Sequence, residues 1–236
     1  AVTLGLCLET QKRYPDILKK VLPITQPIHS SAWAQGRSQE LCDSYGVKLA
    51  VIDQTPVFDQ LKNTIDESLG INGNQFVGGQ LKSYMRTPAN YYAAQLMSQS
   101  GFPSIVMGTG NLDEDGYLAY YCKAGDGVVD LQLISDLHKS QVFTVGKELN
   151  VIDSILSAPP SADLWEGHTD EDEMEISYDA VELFLGVYKK LAGEHHQSQW
   201  ECMLTGDAAI EWAHIKDRCE TIHNRNKHKL AGVVNL

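Results

Sequence analysis

Short apolar runs alternate with longer amphipathic stretches over the first two-thirds of the chain. Residues 1–20 open it with an apolar, helix-like stretch that no Ser, Thr, Asp or Asn precedes as a cap. Residues 21–26 predict a strand and 31 to about 45 a helix. A second strand covers 47–52, where Val47, Leu49, Ala50, Val51 and Ile52 are bounded by turn residues, and a helix runs on to about residue 69. Residues 71–79 hold three glycines and predict a loop. A helix follows over 81–100, then a buried strand over 104–107 that runs into Gly108-Thr109-Gly110. Residues 128–134 predict a short strand and 137–149 a helix. Residues 157–175 carry Pro159, Pro160 and Gly167 with no periodicity, as a functional lid or a disordered loop would. In the next helix Val181, Phe184, Leu185, Tyr188 and Leu191 share one face behind a Ser177 cap, and the last runs from about 207 to 228. This β–α alternation predicts one α/β domain over 1–236, a doubly wound parallel sheet with helices on both faces and a helical C-terminal end.

Composition narrows the function classes. The formal net charge of −12 opposes non-specific nucleic-acid binding, which needs clustered Lys and Arg. No run reaches the ~18 apolar residues of a membrane span. Five cysteines, an odd number with no CxxC pair, suit free thiols in a reducing compartment and so a cytoplasmic protein.

Open parallel sheets bind ligands at the carboxyl ends of their strands, which directs attention to the segment after 104–107. It reads Gly108-Thr109-Gly110-Asn111-Leu112-Asp113-Glu114. Two glycines permit close backbone approach to a ligand, Thr109 offers a hydroxyl, and Glu114 offers a hard oxygen for Mg²⁺. Alone, the segment also reads as a glycine turn capped by Asn111. Lys123-Ala124-Gly125-Asp126-Gly127-Val128-Val129-Asp130 is either an ordinary turn or a site where Asp126 and Asp130 accept from ribose hydroxyls and Lys123 meets a phosphate. Lys139 stands in a first helical turn, where the helix dipole favours anions; that mismatch makes it a candidate phosphate contact beside the default of a solvated lysine. In the long loop, Ser161 is a candidate phosphate donor and Thr169-Asp170-Glu171-Asp172-Glu173 is otherwise a solvated acidic run. Histidine spacing offers no transition-metal set: Glu211 and His214 lack the further partners such a site needs, and His223 and His228 do not share a helix face.

Read together and in order, these segments are more specific. Gly79-Gln80-Leu81-Lys82-Ser83-Tyr84-Met85-Arg86-Thr87-Pro88, then GTGNLDEDGYLAYYCKAGDGVVDL from 108, DLHKSQV from 136, and PPSADL and DEDEMEISYD between 159 and 179, form a succession that resembles the NAD synthetase family over nearly the whole chain. The resemblance implies a doubly wound α/β ATP pyrophosphatase domain that works as a homodimer. It implies ATP-dependent conversion of deamido-NAD to NAD through an adenylate, releasing AMP and pyrophosphate, with Mg²⁺ as cofactor. Ammonia, free or from a glutaminase domain, is the implied nitrogen source. By motif position Thr109, Ser161 and Lys139 would bind ATP and Glu114 would ligand Mg²⁺. Tyr84, Arg86, Lys123, Asp130, His228 and Lys229 would bind deamido-NAD. Asp126 and Lys139 would serve the chemistry. Thr109, Lys139 and Ser161 are expected to meet at one pocket.

Three departures qualify the match. The family's phosphate loop, Ser-Gly-Gly-x-Asp-Ser, is absent and is expected upstream of the helix that Ala1 continues. Tyr84 stands where relatives usually carry arginine, though Arg86 keeps a second arginine. Leu230 follows the His228-Lys229 pair where arginine is common. Two alternatives remain at this point: another adenylate-forming enzyme of the superfamily, and a non-catalytic nucleotide-binding relative lacking the phosphate loop.

Overall fold

The computed structural model describes residues 1–232 except Glu166 and Ala192, without the side chain of Glu194. The chain divides into two compact units. The first takes residues 1–109, 122–133 and 143–169, and the second takes 110–121, 134–142 and Asp170 onward.

In the first unit, helix α1 (Val2–Arg13) leads to strand β1 (Ile24–Thr25), helix α2 (Ala32–Ser44) and strand β2 (Ala50–Val51). β1 and β2 pair in parallel, Ile24 with Ala50 and Thr25 with Val51. A parallel pair needs a crossover, and α2 supplies it. Its N-cap is Ser31, whose hydroxyl accepts from the Ala34 amide at 3.1 Å. Helix α3 (Thr55–Leu69) carries Pro56 in its first turn and stops at Gly70, which is left-handed with φ +65°. Helix α4 (Gln75–Gln99) is capped by Asn74 and contains Pro88. Strand β3 (Met107–Gly108) then pairs in parallel with β4 (Leu131–Gln132). Ile28, Phe58 and Met85, with Leu81 against them, form a core cluster in this unit.

Helix α5 (Lys139–Glu148) begins in the second unit and ends in the first, where α6 (Asp153–Leu156) follows. The second unit continues with α7 (Asp170–Met174), α8 (Tyr178–Gly186), α9 (Gly193–Cys202) and α10 (Asp207–Asn226). Its core is aromatic. Phe184, Val181 and Leu118 are fully buried, and Tyr188 lies 4.8 Å from Trp212 and 5.6 Å from Phe184 between ring centroids.

The α/β class holds, as two separate two-stranded parallel ladders flanked by helices. Several boundaries differ from expectation. The loop expected over 71–79 is shorter: α4 starts at Gln75 and takes in Gly78 and Gly79. Gly79 is helical because its missing side chain admits Leu164, whose Cβ would lie 3.3 Å from any added Cβ. Helix α9 was not expected, its sequence having no apolar period. The stretch 157–175 contains α7, so it is not wholly irregular.

Candidate functional site

The second unit gathers the charged residues of the GTGNLDE and DLHKSQV segments. Asn111 caps the π-helical turn Leu112–Gly116, its side chain accepting from the amides of Asp113 and Glu114. Beside it lies the start of α5, joined residue by residue. Leu112 N donates to Leu137 O at 2.9 Å. Asp113 accepts from the His138 ring at 2.7 Å and from the Lys139 amide at 2.6 Å. Glu114 accepts from Lys139 Nζ at 2.6 Å. Residues 112–114 thus face 137–139 in three consecutive rungs. Tyr178, from α8, closes the arrangement. Its hydroxyl bonds Glu114 at 2.6 Å and Asp170 at 2.9 Å, and Lys139 Nζ stands 4.4 Å over its ring. Burial first, then the charges of Glu114 and Asp170, push the Tyr178 phenol far above its ordinary range, so it stays a donor. Tyr120, which donates to Glu173 at 2.6 Å, is raised in the same way.

Lysine at the head of a helix opposes the dipole, and Glu114 offsets that cost by holding Lys139 at a fixed point. The carboxylates of Glu114 and Asp170 are the hard oxygen donors Mg²⁺ selects, with one Glu114 oxygen already accepting from Lys139 and Tyr178 and the other available to such an ion. Asp113, His138 and Glu182 also place one ligand atom each within 4.8 Å of one another, a cluster that histidine spacing along the sequence did not reveal. Both Asp113 oxygens already accept N–H donors, which makes this a hydrogen-bonded scaffold before it is a metal set. Lys229, expected with His228 near the C-terminus, donates to the carbonyls of Ala119 and Tyr121 at 3.2 and 2.7 Å and so steadies the left-handed turn at Ala119. His228 is exposed and bonds the Arg225 carbonyl at 3.1 Å.

The first unit holds a cleft of about 260 Å³ at the carboxyl end of β1. Ile24, Thr25, Gln26, Ser30 and Gln35 line it with Arg86 and Asp163. Burial pulls the Arg86 guanidinium below its ordinary range, while Asp126 and Asp163 pull it back. Asp126 also accepts from Ser83 at 3.3 Å. The 161–164 segment is pinned. Ser161 donates to the His168 carbonyl at 2.5 Å, Asp163 accepts from the Ser31 amide at 3.1 Å, and Lys82 Nζ donates to the Leu164 carbonyl at 2.8 Å. Arg86, Asp126 and Asp163 therefore share one neighbourhood, with Ser161 on the segment that Asp163 ties down. Thr109 and Lys123 are exposed, as is Tyr84, whose hydroxyl donates to Gln80 at 3.3 Å. Asp130 accepts from the Val106 amide at 2.7 Å and from Tyr91 at 3.2 Å, tying its carboxylate to the start of β3.

The glycines of the 108–110 turn also have a reason within the chain. A Cβ on Gly108 would lie 2.8 Å from Gln132 and Val129, and one on Gly110 would overlap the Asp115 carboxylate. They make room for the chain's own side chains.

The NAD synthase family model matches residues 17–231. The chain belongs to the NAD synthase family. It is 37% identical over 157 residues to the NH(3)-dependent NAD(+) synthetase of Methanococcoides burtonii, a match covering 66% of this chain and 56% of that protein. It is 30% identical over 223 residues to the enzyme of the same name from Mesoplasma florum, covering 92% of this chain and 80% of that one. Among solved structures it is similar to an NMN synthetase from Francisella tularensis, with 27% identity and a TM-score of 0.75 over 100% of this chain and 83% of that one. An NH3-dependent NAD synthetase structure from Campylobacter jejuni, at 18% identity and a TM-score of 0.62, shares the fold over 99% of this chain and 85% of its own. The rungs 112–114 and 137–139 fall inside the family match.

Proposed function

We propose that this NAD synthase family chain amidates deamido-NAD to NAD at the expense of ATP. The observation that carries this reading is the Glu114–Lys139 pair, 2.6 Å apart on the two motif segments the family resemblance singles out. A free carboxylate is a poor acyl donor. In the proposed reaction its oxygen attacks the α-phosphorus of ATP, the bond to the bridging oxygen breaks and pyrophosphate leaves. Ammonia then adds to the acyl carbon, loses a proton, and expels AMP. Lys139, held by Glu114 and the Tyr178 ring, offers fixed positive charge to the phosphates. Glu114 would hold Mg²⁺, which when bound would add charge neutralisation on the phosphates. In the first unit Thr109 and Ser161 are assigned to ATP, and Arg86, Lys123, Asp126 and Asp130, with Tyr84 in place of a second arginine, to the dinucleotide. His228 and Lys229 are assigned to the dinucleotide as well.

The same reading takes the two parallel ladders as parts of a doubly wound sheet. It also takes the chain as one catalytic domain. The exposed stripe Val57, Leu61, Ile65 and Leu69 on α3 supports a homodimer. Five free cysteines favour a cytoplasmic setting. Among the described residues no helix is long and apolar enough to cross a membrane.

A second reading has one observation in its favour. The likeness to the Francisella NMN synthetase supports the same amidation on the mononucleotide acid. Assays of the full-length protein with ATP, Mg²⁺ and ammonium, offering each acid in turn, decide between them. NAD and AMP formed in equal amounts from deamido-NAD support the first reading. A much higher kcat/KM for the mononucleotide establishes the second, and no AMP from either acid removes both. Lys139→Ala should cut kcat by about 100-fold or more, the scale of losing one preorganised charge.

A further inference from the structure

We infer that the buried Asp113–His138 pair is the positioning device that aims Glu114 and Lys139 at their ligands. The inference rests on the reading of those two residues given above.

Each member of the pair is the immediate chain neighbour of one of the two proposed site residues. Asp113 precedes Glu114, and His138 precedes Lys139. Asp113 is 0% exposed and His138 8%. A carboxylate with no access to water is strongly destabilising unless donors satisfy it. Here one Asp113 oxygen takes the His138 Nδ1 proton at 2.7 Å and the other takes the Lys139 amide at 2.6 Å. A carboxylate only accepts, so Nδ1 carries the hydrogen and the tautomer is defined. The far side of the ring lies against α8: a Cβ on Gly186 would stand 3.5 Å from Nε2. The imidazole is therefore wedged between the π-helical turn and α8, with the Glu182 carboxylate completing the cluster. The wedge fixes both the rotation of the turn and the start of α5. Rotation of either would part Glu114 from Lys139, although neither buried residue needs to touch a substrate. Lys139 thus has two anchors of different kinds. Its amide is bound to Asp113, and its ammonium to Glu114.

Positioning differs from simple core filling in what it needs. Packing needs volume, whereas aiming needs the Nδ1 donor. His138→Asn keeps an N–H near the Nδ1 position and loses volume; His138→Leu keeps volume and loses the donor. In the full-length protein we expect kcat for His138→Asn within about threefold of wild type. For His138→Leu we expect kcat at least tenfold lower, with KM for the acid substrate within about threefold. Magnesium–ATP affinity, read by titration calorimetry without turnover, should follow the same order, Asn above Leu. Equal values, or Leu above Asn, would show a packing role and overturn the inference. If wild type releases no AMP, the proposed function fails, and the calorimetric order still decides whether the pair aims Glu114 and Lys139.

Discussion

Tyr178 shows how one residue binds several roles together. Its ring carries Lys139, and its hydroxyl joins the carboxylates of Glu114 and Asp170. Replacing it with Phe keeps the ring and deletes the bridge. Glu114 keeps Lys139, but both carboxylates lose the phenol donor between them, at a cost of about 1–3 kcal/mol. Tyr178→Phe should lower the thermal midpoint by several degrees, and added Mg²⁺ should restore part of the loss by drawing the two carboxylates together in place of the lost donor. A midpoint equal to wild type in chelator would show that the hydroxyl bridge contributes nothing. Cys219 offers a second test at this scale. It is fully buried, and burial pushes its thiol up to about 12. Between pH 9 and 12 the unfolded thiol has lost its proton while the folded one keeps it. The folded state then binds more protons, so stability falls as pH rises, by up to about 1.4 kcal/mol per pH unit for this one group. Below pH 9 its contribution is complete. Denaturant melts from pH 8 to 10 should show a shallower decline for Cys219→Ala than for wild type, since the substitution removes that titration.

At the scale of elements, what the chain announces is local chemistry. Ser31 and Ser177 cap α2 and α8 as their side chains allow, each accepting from the amide three residues on, and Gly70 stops α3 in the left-handed region. The apolar face named for α8 includes Val181, Phe184 and Tyr188, which are in the core. Features that depend on distant partners were not legible. Gly78 and Gly79 look like loop residues until Leu164 is placed beside Gly79. β1, β2 and β4 lie inside the runs expected for them and β3 overlaps its run only at Met107, each strand being shorter than its run; an apolar run alone fixes neither pairing nor burial, since Val51, Ile105 and Leu131 are exposed. The site was legible as a list of residues. Glu114 and Lys139 were named from their motifs, but their contact across 25 positions was not, nor was the Asp113–His138 pair beneath it. The one available signal was the equal offset, 113 to 138 and 114 to 139. Gly78 supplies a prediction here. It is inside α4 with open space where a Cβ would stand. Gly78→Ala should therefore stabilise by about 0.5–1 kcal/mol through helix propensity alone, raising the midpoint. A drop would mean that the helix does not hold Gly78 in this conformation.

For the molecule as a whole, the open question is what covers α3. Val57, Leu61, Ile65 and Leu69 recur every four residues, so they form one stripe, and all four are exposed although Phe58, one residue on from Val57, is buried. A net charge of −12 resists self-association in general, but an apolar stripe of this kind is costly to leave in water unless a second surface meets it. A two-fold homodimer satisfies the requirement with a single patch, since the same residues serve both partners. If wild type is that dimer, charging the middle of the stripe by Leu61→Glu with Ile65→Glu should convert it to a monomer. Light scattering after size exclusion reads the change directly. Both side chains are exposed within their own chain, so the double variant should keep its helical circular dichroism and change only in mass. If wild type already runs as a monomer at tens of micromolar, or if the variant keeps the dimer mass, association lies elsewhere and the stripe has another role.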